Sequence, residues 1–364
     1  MSRGNTCGGQ LGTINDQNTP RAPSRPQGRD LDALTFLRAG IPWLLGILTL
    51  SGLLMVAVNR DAVFHTWDLA RHADRAWLML AALAQAGTYV CAALVWWVVL
   101  RRAGLQFHLR GLIPLGVAKL FTDQTLPSGG ISGNILVLAG LTRRGVPPNI
   151  VMAVLLVGMI SFYAAYLVAA VIAGTVLWLN RLASTIIITI VLVFAVLAVL
   201  LPLLAFWARD LLQERVPATL ARLPGVALLL RAVAEAPDHL LHDATLLMQT
   251  TLLQLSVFVL DALTLWLVLH AIGTPQPAWV VFSATVLASI IATIGPIPLG
   301  LGTFEAGCIA MLSLAGLPLE AALASTLLLR GLTFWLPMLP GLWLARRELR
   351  LRADPNPMPI DPTA

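Results

Sequence analysis

Charge is scarce in this sequence, which contains 12% charged residues against 58% hydrophobic ones. A soluble domain contains roughly 25% charged residues, so the composition argues against a water-soluble protein. Lysine occurs once, at Lys119, and arginine supplies the other basic side chains. The arginines flank apolar runs, where they act as topology determinants. The net charge of +6 therefore does not indicate nucleic-acid binding.

Cysteine is rare, and the motifs of cofactor-dependent or catalytic proteins are missing. Cys7, Cys91 and Cys308 are far apart and match no metal or redox spacing. The sequence contains no phosphate-binding loop, so we do not expect ATP hydrolysis by this chain. No nucleophile and base stand out as a pair, and the histidines of 238–243 lack a further pair of ligands. We therefore predict a protein that is not an enzyme and has no cofactor or metal site.

Long apolar runs predict an all-α, polytopic integral membrane protein with about eight transmembrane helices. The predicted helices are 40–58, 76–100, 149–177, 183–207, 244–270, 278–294, 301–315 and 320–345, with an interrupted region at 111–142. Segment 301–315 is short enough for a half-helix. Residues 1–39 are predicted to be a disordered cytoplasmic tail, 40–345 the transmembrane domain, and 346–364 a second cytoplasmic tail.

The distribution of arginine predicts the orientation in the membrane. Arginines are concentrated in both terminal flanks and in the loops around 101–110, 143–144 and 208–243. Basic loops face the cytoplasm, so both termini are predicted to be cytoplasmic, with 111–142 entering and leaving on that side. The 59–75 loop is a misfit, because it carries three arginines and would lie outside.

Two segments in corresponding halves of the chain combine proline and clustered glycine with a nearby charge. They are "KLFTDQTLPSGGISGNILVLAGL" (119–141) and "ATIGPIPLGLGTFEAG" (292–307). Interrupted segments in both halves point to a transporter substrate site and an inverted repeat. A helix broken in lipid exposes N–H groups that protein or a polar cavity must satisfy, and such an N-terminus can bind phosphate. In the alternative, the glycines only allow close helix packing.

Ionisable side chains within the apolar runs are candidates for the lining of such a cavity. The predicted substrate-binding residues are Lys119, Asp123, Pro127, Gly129, Gly130, Pro298, Gly300, Gly302, Glu305 and Arg330. Lys119 and Asp123 are spaced i, i+4 and could instead form only a local ion pair. Arg330 could bind a phosphate with its guanidinium fork or pair with Glu305. Asp261 and Glu305 are candidates for ion coupling, while Asp261 could equally lock two helices by a hydrogen bond.

The second segment carries a family resemblance. "IPLGLGTFEAG" followed by "LLLRGLTFWLPMLPG" resembles the C-terminal signature of the lysylphosphatidylglycerol synthase transmembrane-region family. The matching residues are Pro298, Gly300, Gly302, Glu305, Arg330, Trp335 and Pro337, while Leu299 stands where the family often has Gly. The first segment resembles the family more loosely, through Pro127, Gly129, Gly130 and Gly133. Ser132 and Asn134 stand there in place of the family's frequent acid or Arg.

The resemblance covers roughly residues 40–345 and implies a flippase-like fold with re-entrant helices. It implies the stand-alone form, without the family's aminoacyl-transferase domain. We expect a lipid flippase of the bacterial inner membrane, whose cargo is a phospholipid or an aminoacylated, polyprenyl-linked or hopanoid-type lipid. The alternative is a non-catalytic accessory or scaffold subunit for a lipid-modifying enzyme. Such an enzyme and a second copy of the chain are left open as partners, and no nucleic acid is expected.

Overall fold

The computed structural model describes residues 71–125, 131–214, 236–295 and 302–350, together with residues 69 and 300. The regular secondary structure of these residues is helical, because a helix satisfies its own backbone hydrogen bonds in an apolar environment. The helices are α1 (Arg75–Arg102), α2 (Leu109–Thr125), α3 (Ile131–Arg143), α4 (Pro148–Leu179), α5 (Thr185–Glu214), the single turn α6 (Asp238–Leu241), α7 (Ala244–Ala271), α8 (Ala278–Ile294), α9 (Thr303–Leu314), α10 (Leu319–Arg330) and α11 (Leu336–Arg350).

The predicted all-α membrane fold is confirmed. Five described stretches are long and apolar enough to cross a membrane, namely Arg75–Arg102, Pro148–Leu179, Thr185–Leu204, Ala244–Ala271 and Leu319–Arg346. The predicted first helix, 40–58, lies outside the described residues, as does most of both predicted tails. The count of eight helices, the inverted repeat and the domain limits stay predictions.

The described residues of each interrupted segment form two helices. Helix α2 ends at Thr125 and α3 begins at Ile131, while α8 ends at Ile294 and α9 begins at Thr303. With 17 and 12 residues, α8 and α9 are about 25 and 18 Å long at 1.5 Å per residue. Neither reaches the roughly 30 Å of a hydrocarbon core. These lengths agree with the predicted interruption of the membrane helices.

The last predicted helix, 320–345, is interrupted in a way that was not predicted from the sequence. A π-helical segment, Gly331–Trp335, separates α10 from α11, and the Leu336 N–H donates to the carbonyl of Gly331. Pro337 explains the irregularity, because it has no N–H for the carbonyl four residues earlier and its ring crowds that carbonyl. The π-helical turn follows directly after Arg330.

The helices pack around two groups of buried apolar side chains. One group includes Tyr166 and Phe194 and involves α4, α5 and α7 to α10. The other includes Trp96 and Leu115 and involves α1 to α4, α6, α7 and α11. Large apolar side chains such as Ile186 are exposed on the outer surface, as expected where lipid replaces water.

An ion pair fixes the start of α7 against the end of α1. The Asp243 carboxylate caps α7 by accepting from the N–H groups of Thr245 and Leu246, and it accepts from Arg102 Nε at 2.6 Å. The hydrogen bond from Arg102, with that from the Leu246 N–H, holds the pKa of Asp243 below its usual value. Asp243 lies just before the apolar part of α7, outside the membrane-spanning segment.

Candidate functional site

A cavity of about 790 Å³ lies within the helical bundle. Its lining includes four of the charged side chains singled out from the sequence: Lys119, Asp123, Asp261 and Arg330. They come from three helices, α2, α7 and α10. Charged side chains within apolar helices are costly unless they meet partners or a polar cavity. The structure brings these four together in one such cavity.

The first charged pair joins the two helices of the first interrupted segment. Lys119 Nζ donates to Asp123 Oδ2 at 2.5 Å, and the two side chains are 27% and 20% exposed. The other oxygen of Asp123 accepts from the Gly133 N–H at 2.8 Å, in the first turn of α3. A carboxylate is favourable there because it satisfies an unpaired N–H and faces the positive end of the helix dipole. A Cβ on Gly133 would collide with this carboxylate, so glycine is needed for the contact.

The second charged pair joins α10 to the second interrupted segment. Arg330 Nε donates to Glu305 Oε1 at 2.7 Å, with the side chains 15% and 21% exposed. Glu305 Oε2 accepts from the Gly302 N–H at 2.7 Å, and Arg330 Nη2 donates to the Gly300 carbonyl at 3.3 Å. Gly300 and Gly302 have φ angles of +61° and +83°, which favour glycine. The ion pair therefore depends on the broken, glycine-rich backbone.

The guanidinium of Arg330 is also covered by aromatic rings. Its Cζ lies 4.4 Å from the ring centre of Phe304 and 5.7 Å from that of Phe334. Such cation–π contacts stabilise a partly desolvated cation. Arginine has five N–H donors, and only two are used by hydrogen bonds within the described residues. The remaining donors leave Arg330 able to bind a further acceptor.

Asp261 lies in the same cavity but outside both ion pairs. It projects from α7, and Gln85 of α1 lines the cavity with it. Neither Lys119 nor Arg330 forms a salt bridge with it within the described part of the chain. Of the described carboxylates in or next to this cavity, Asp261 is thus the one without a cationic partner.

Some predicted site residues cannot be placed. Pro127, Gly129, Gly130 and Pro298 lie outside the described residues, so their contact with substrate stays a prediction. The Gly302 N–H donates to Glu305, and a contact of Gly302 with substrate stays a prediction. Among the residues described, no group of three His, Cys, Asp or Glu side chains has the arrangement of a metal site.

Several polar residues of the cavity were not predicted from the sequence. Gln85, Thr88 and Tyr89 of α1 all line it, and their i, i+3, i+4 spacing within an apolar helix is the signal that could have revealed them. Asn134 of α3 and Tyr163 of α4 line it as well. The three residues of α1 line the cavity together with Asp261 of α7.

Comparison with known proteins agrees with this architecture. The family model described as "Lysylphosphatidylglycerol synthase TM region" matches residues 43–341. The match includes α1 to α10, the π-helical segment and all residues of both charged pairs. The comparison with curated proteins found no match.

Proposed function

Because the chain belongs to the lysylphosphatidylglycerol synthase TM region family, we propose that it translocates a polar-headed lipid across the bacterial inner membrane. The headgroup passes through the central cavity while the acyl chains stay in the surrounding lipid. The orientation that goes with this proposal has both termini in the cytoplasm, as the distribution of arginine favours. The role proposed is transport without chemical change of the lipid.

The observation that carries the proposal is the convergence of both charged pairs on one cavity. Lys119 and Arg330 come from opposite halves of the chain and line the same space. Its volume of about 790 Å³ falls in the range of about 300–1,000 Å³ typical of small-ligand sites. This size suits a headgroup better than a whole lipid.

The unused donors of the two cations suit a phosphate-containing headgroup. Lys119 has three N–H donors and gives one described hydrogen bond, to Asp123. Arg330 keeps donors beyond those that hold Glu305 and Gly300. Both cations can therefore donate to a phosphate without first losing their carboxylate partners. The paired carboxylates keep the resting cavity close to electrical balance and can receive an amino group of the cargo.

A second candidate function is that of an accessory or scaffold subunit for a lipid-modifying enzyme. The observation that favours it is the pairing itself, since Lys119 and Arg330 already contact acids at 2.5 and 2.7 Å. Charges that only stabilise the bundle would show the same contacts. The two functions differ in whether the unused N–H donors of Arg330 bind the headgroup of a lipid.

Reconstitution into lipid vesicles tests the proposal. Lipids labelled on the acyl chain and carrying different headgroups are incorporated, and their exchange between leaflets is measured by quenching from outside. We expect exchange with the wild-type protein and its loss in Arg330→Gln. Arg346→Gln is the matched control, because Arg346 is exposed near the end of α11 and does not line the cavity. Absence of exchange for every headgroup with folded wild-type protein would favour the scaffold function.

A further inference from the structure

The carboxylate of Asp261 lies in the cavity without a cationic partner among the described residues. Asp261 is partly buried, and the cations that line the same cavity are each bound to another acid. A carboxylate in an apolar helix without a cation is costly as an anion. Binding a proton removes that cost, because the neutral acid is far easier to bury.

Gln85 of α1 lines the same cavity as this carboxylate. The Gln85 side chain is 4% exposed, and its amide is used by hydrogen bonds to two hydroxyl groups. Its nitrogen also donates to Thr88 Oγ1 at 3.2 Å, and its oxygen accepts from Thr264 Oγ1 at 3.3 Å. The amide oxygen is thus already engaged by Thr264. A metal cation prefers several oxygen ligands, so this arrangement fits proton exchange better than cation binding.

The hydroxyl of Tyr89 is available to either protonation state of Asp261. Tyr89 lies one helical turn after Gln85 and lines the same cavity as Asp261. Its hydroxyl is buried and has no hydrogen-bond partner among the residues that the structure describes. A phenol donates to a carboxylate and accepts from a carboxylic acid. Reorientation of one O–H group therefore suits either form of Asp261.

The other elements around Asp261 contribute few titratable groups to the cavity. Helix α4 contributes Tyr163, and the polar groups that α8 contributes are hydroxyls, such as that of Ser289. The charged groups across the cavity are Lys119 with Asp123, from α2, and Arg330 of α10, which is bound to Glu305 of α9.

We propose that Asp261 is a proton-binding site whose uptake and release of a proton is coupled to lipid translocation, and this inference rests on the function proposed above. The carboxylate takes a proton from cavity water on one side of the membrane and becomes a neutral acid. It returns the proton to cavity water when the cavity opens to the other side. The two cations and three carboxylates in and next to the cavity then have a net charge of −1 when Asp261 is ionised. Their net charge is 0 when Asp261 carries the proton. A headgroup of fixed charge binds one of these states better, which couples the two processes.

Proton flux through the protein provides the test. Wild type, Asp261→Asn and Glu320→Gln are reconstituted into vesicles of phosphatidylethanolamine and phosphatidylglycerol with a pH-sensitive dye inside. Glu320 is the matched control, a carboxylate in the first turn of α10 that does not line the cavity. A pH gradient is imposed, and proton flux and exchange of labelled lipid are followed in the same vesicles. Wild-type flux is informative even if the Asn variant fails to fold.

We expect wild type and Glu320→Gln to dissipate the gradient faster than protein-free vesicles, and Asp261→Asn to fall to the protein-free rate. Lipid exchange should respond to the gradient in wild type and not in Asp261→Asn. Wild-type flux at the protein-free rate, or equal flux in a folded Asp261→Asn, would overturn the inference even where lipid exchange is normal. Flux that depends on Asp261 without any lipid exchange would support the proton site and refute lipid translocation, and with it the coupling.

Discussion

Substitutions in the ion pair between Glu305 and Arg330 are expected to affect the stability of the protein and its lipid exchange differently. In Glu305→Gln, one carboxylate oxygen is replaced by an NH2 group. The two oxygens of Glu305 accept from Arg330 Nε and from the Gly302 N–H, both at 2.7 Å. The glutamine can keep only one of these bonds and opposes the other donor with a donor. Arg330, 15% exposed, cannot lose its charge and is left without a counter-ion.

The magnitudes follow from the burial of the pair. Losing a hydrogen bond to a charged group costs about 1.5–3 kcal/mol, and an unpaired Arg in the membrane costs about 2.5–3.5 kcal/mol. The two estimates describe overlapping losses, so we expect Glu305→Gln to lower the free energy of unfolding by about 2–3 kcal/mol. Arg330→Gln should cost less, about 1–2 kcal/mol, because Glu305 keeps its hydrogen bond from the Gly302 N–H. The double variant should cost clearly less than the sum of both, with a coupling of about 1–3 kcal/mol.

Reversible unfolding in mixed detergent micelles, followed by tryptophan fluorescence, measures these free energies. Lipid exchange is measured on the same three variants. If Arg330 binds the headgroup, the double variant regains stability relative to the sum of the single variants but not lipid exchange. Recovery of exchange in the double variant would assign the pair a structural role. Strictly additive costs would refute the reasoning, because they would mean that the two side chains do not interact in the folded protein.

Two further predictions concern the packing of α9 and the start of α7. Gly307→Ala should destabilise the protein by about 1–3 kcal/mol in the same unfolding assay, because its Cβ would lie 3.2 Å from the Cα of Ala288. Protonation of Asp243, whose pKa is lowered by Arg102 and the Leu246 N–H, should destabilise the fold. This contribution is fully present above the unfolded-state pKa of about 3.9 and is lost as the pH falls through the lower folded-state value, as unfolding measured against pH would show.

Each of these predictions has a control within the chain. Gly111 lies in α2, and a Cβ added to it would meet no heavy atom within 4 Å, so Gly111→Ala should be neutral or stabilising by up to about 1 kcal/mol. Equal costs at Gly111 and Gly307 would contradict the packing argument. Asp243→Asn should remove the acid-dependent part of the stability curve, and an unchanged curve would show that other groups cause it.

The helices and the charged pairs could be predicted from the sequence because both depend on strong and simple forces. The predicted helix 278–294 coincides with α8, since proline and glycine end a long apolar run at both sides. The pairing of Lys119 with Asp123 follows from their i, i+4 spacing. The pairing of Arg330 with Glu305 could be named as an alternative because few partners exist for a charge within the membrane.

The polar residues of α1 and the irregular last helix could not be predicted in the same way. A helix that is apolar on all sides carries no amphipathic pattern, so its sequence does not show which face turns inward. That Gln85 and Tyr89 face the cavity therefore follows only from the packing of α1 against α7. The π-helical turn after Arg330 depends on how Pro337 is accommodated, and a proline can equally kink or end a helix. The single cavity that joins both halves is a property of the tertiary fold.

Photolabelling shows most directly whether a lipid headgroup enters the cavity. The wild-type protein in vesicles is illuminated with a phospholipid that carries a diazirine in its headgroup, or with one that carries it in the acyl chain, and adducts are located by mass spectrometry. We expect headgroup adducts at cavity residues such as Gln254 and Ser289 and acyl-chain adducts on the outer surface around Ile186. Headgroup adducts confined to helix ends and loops, with none in the cavity, would contradict lipid translocation through this cavity.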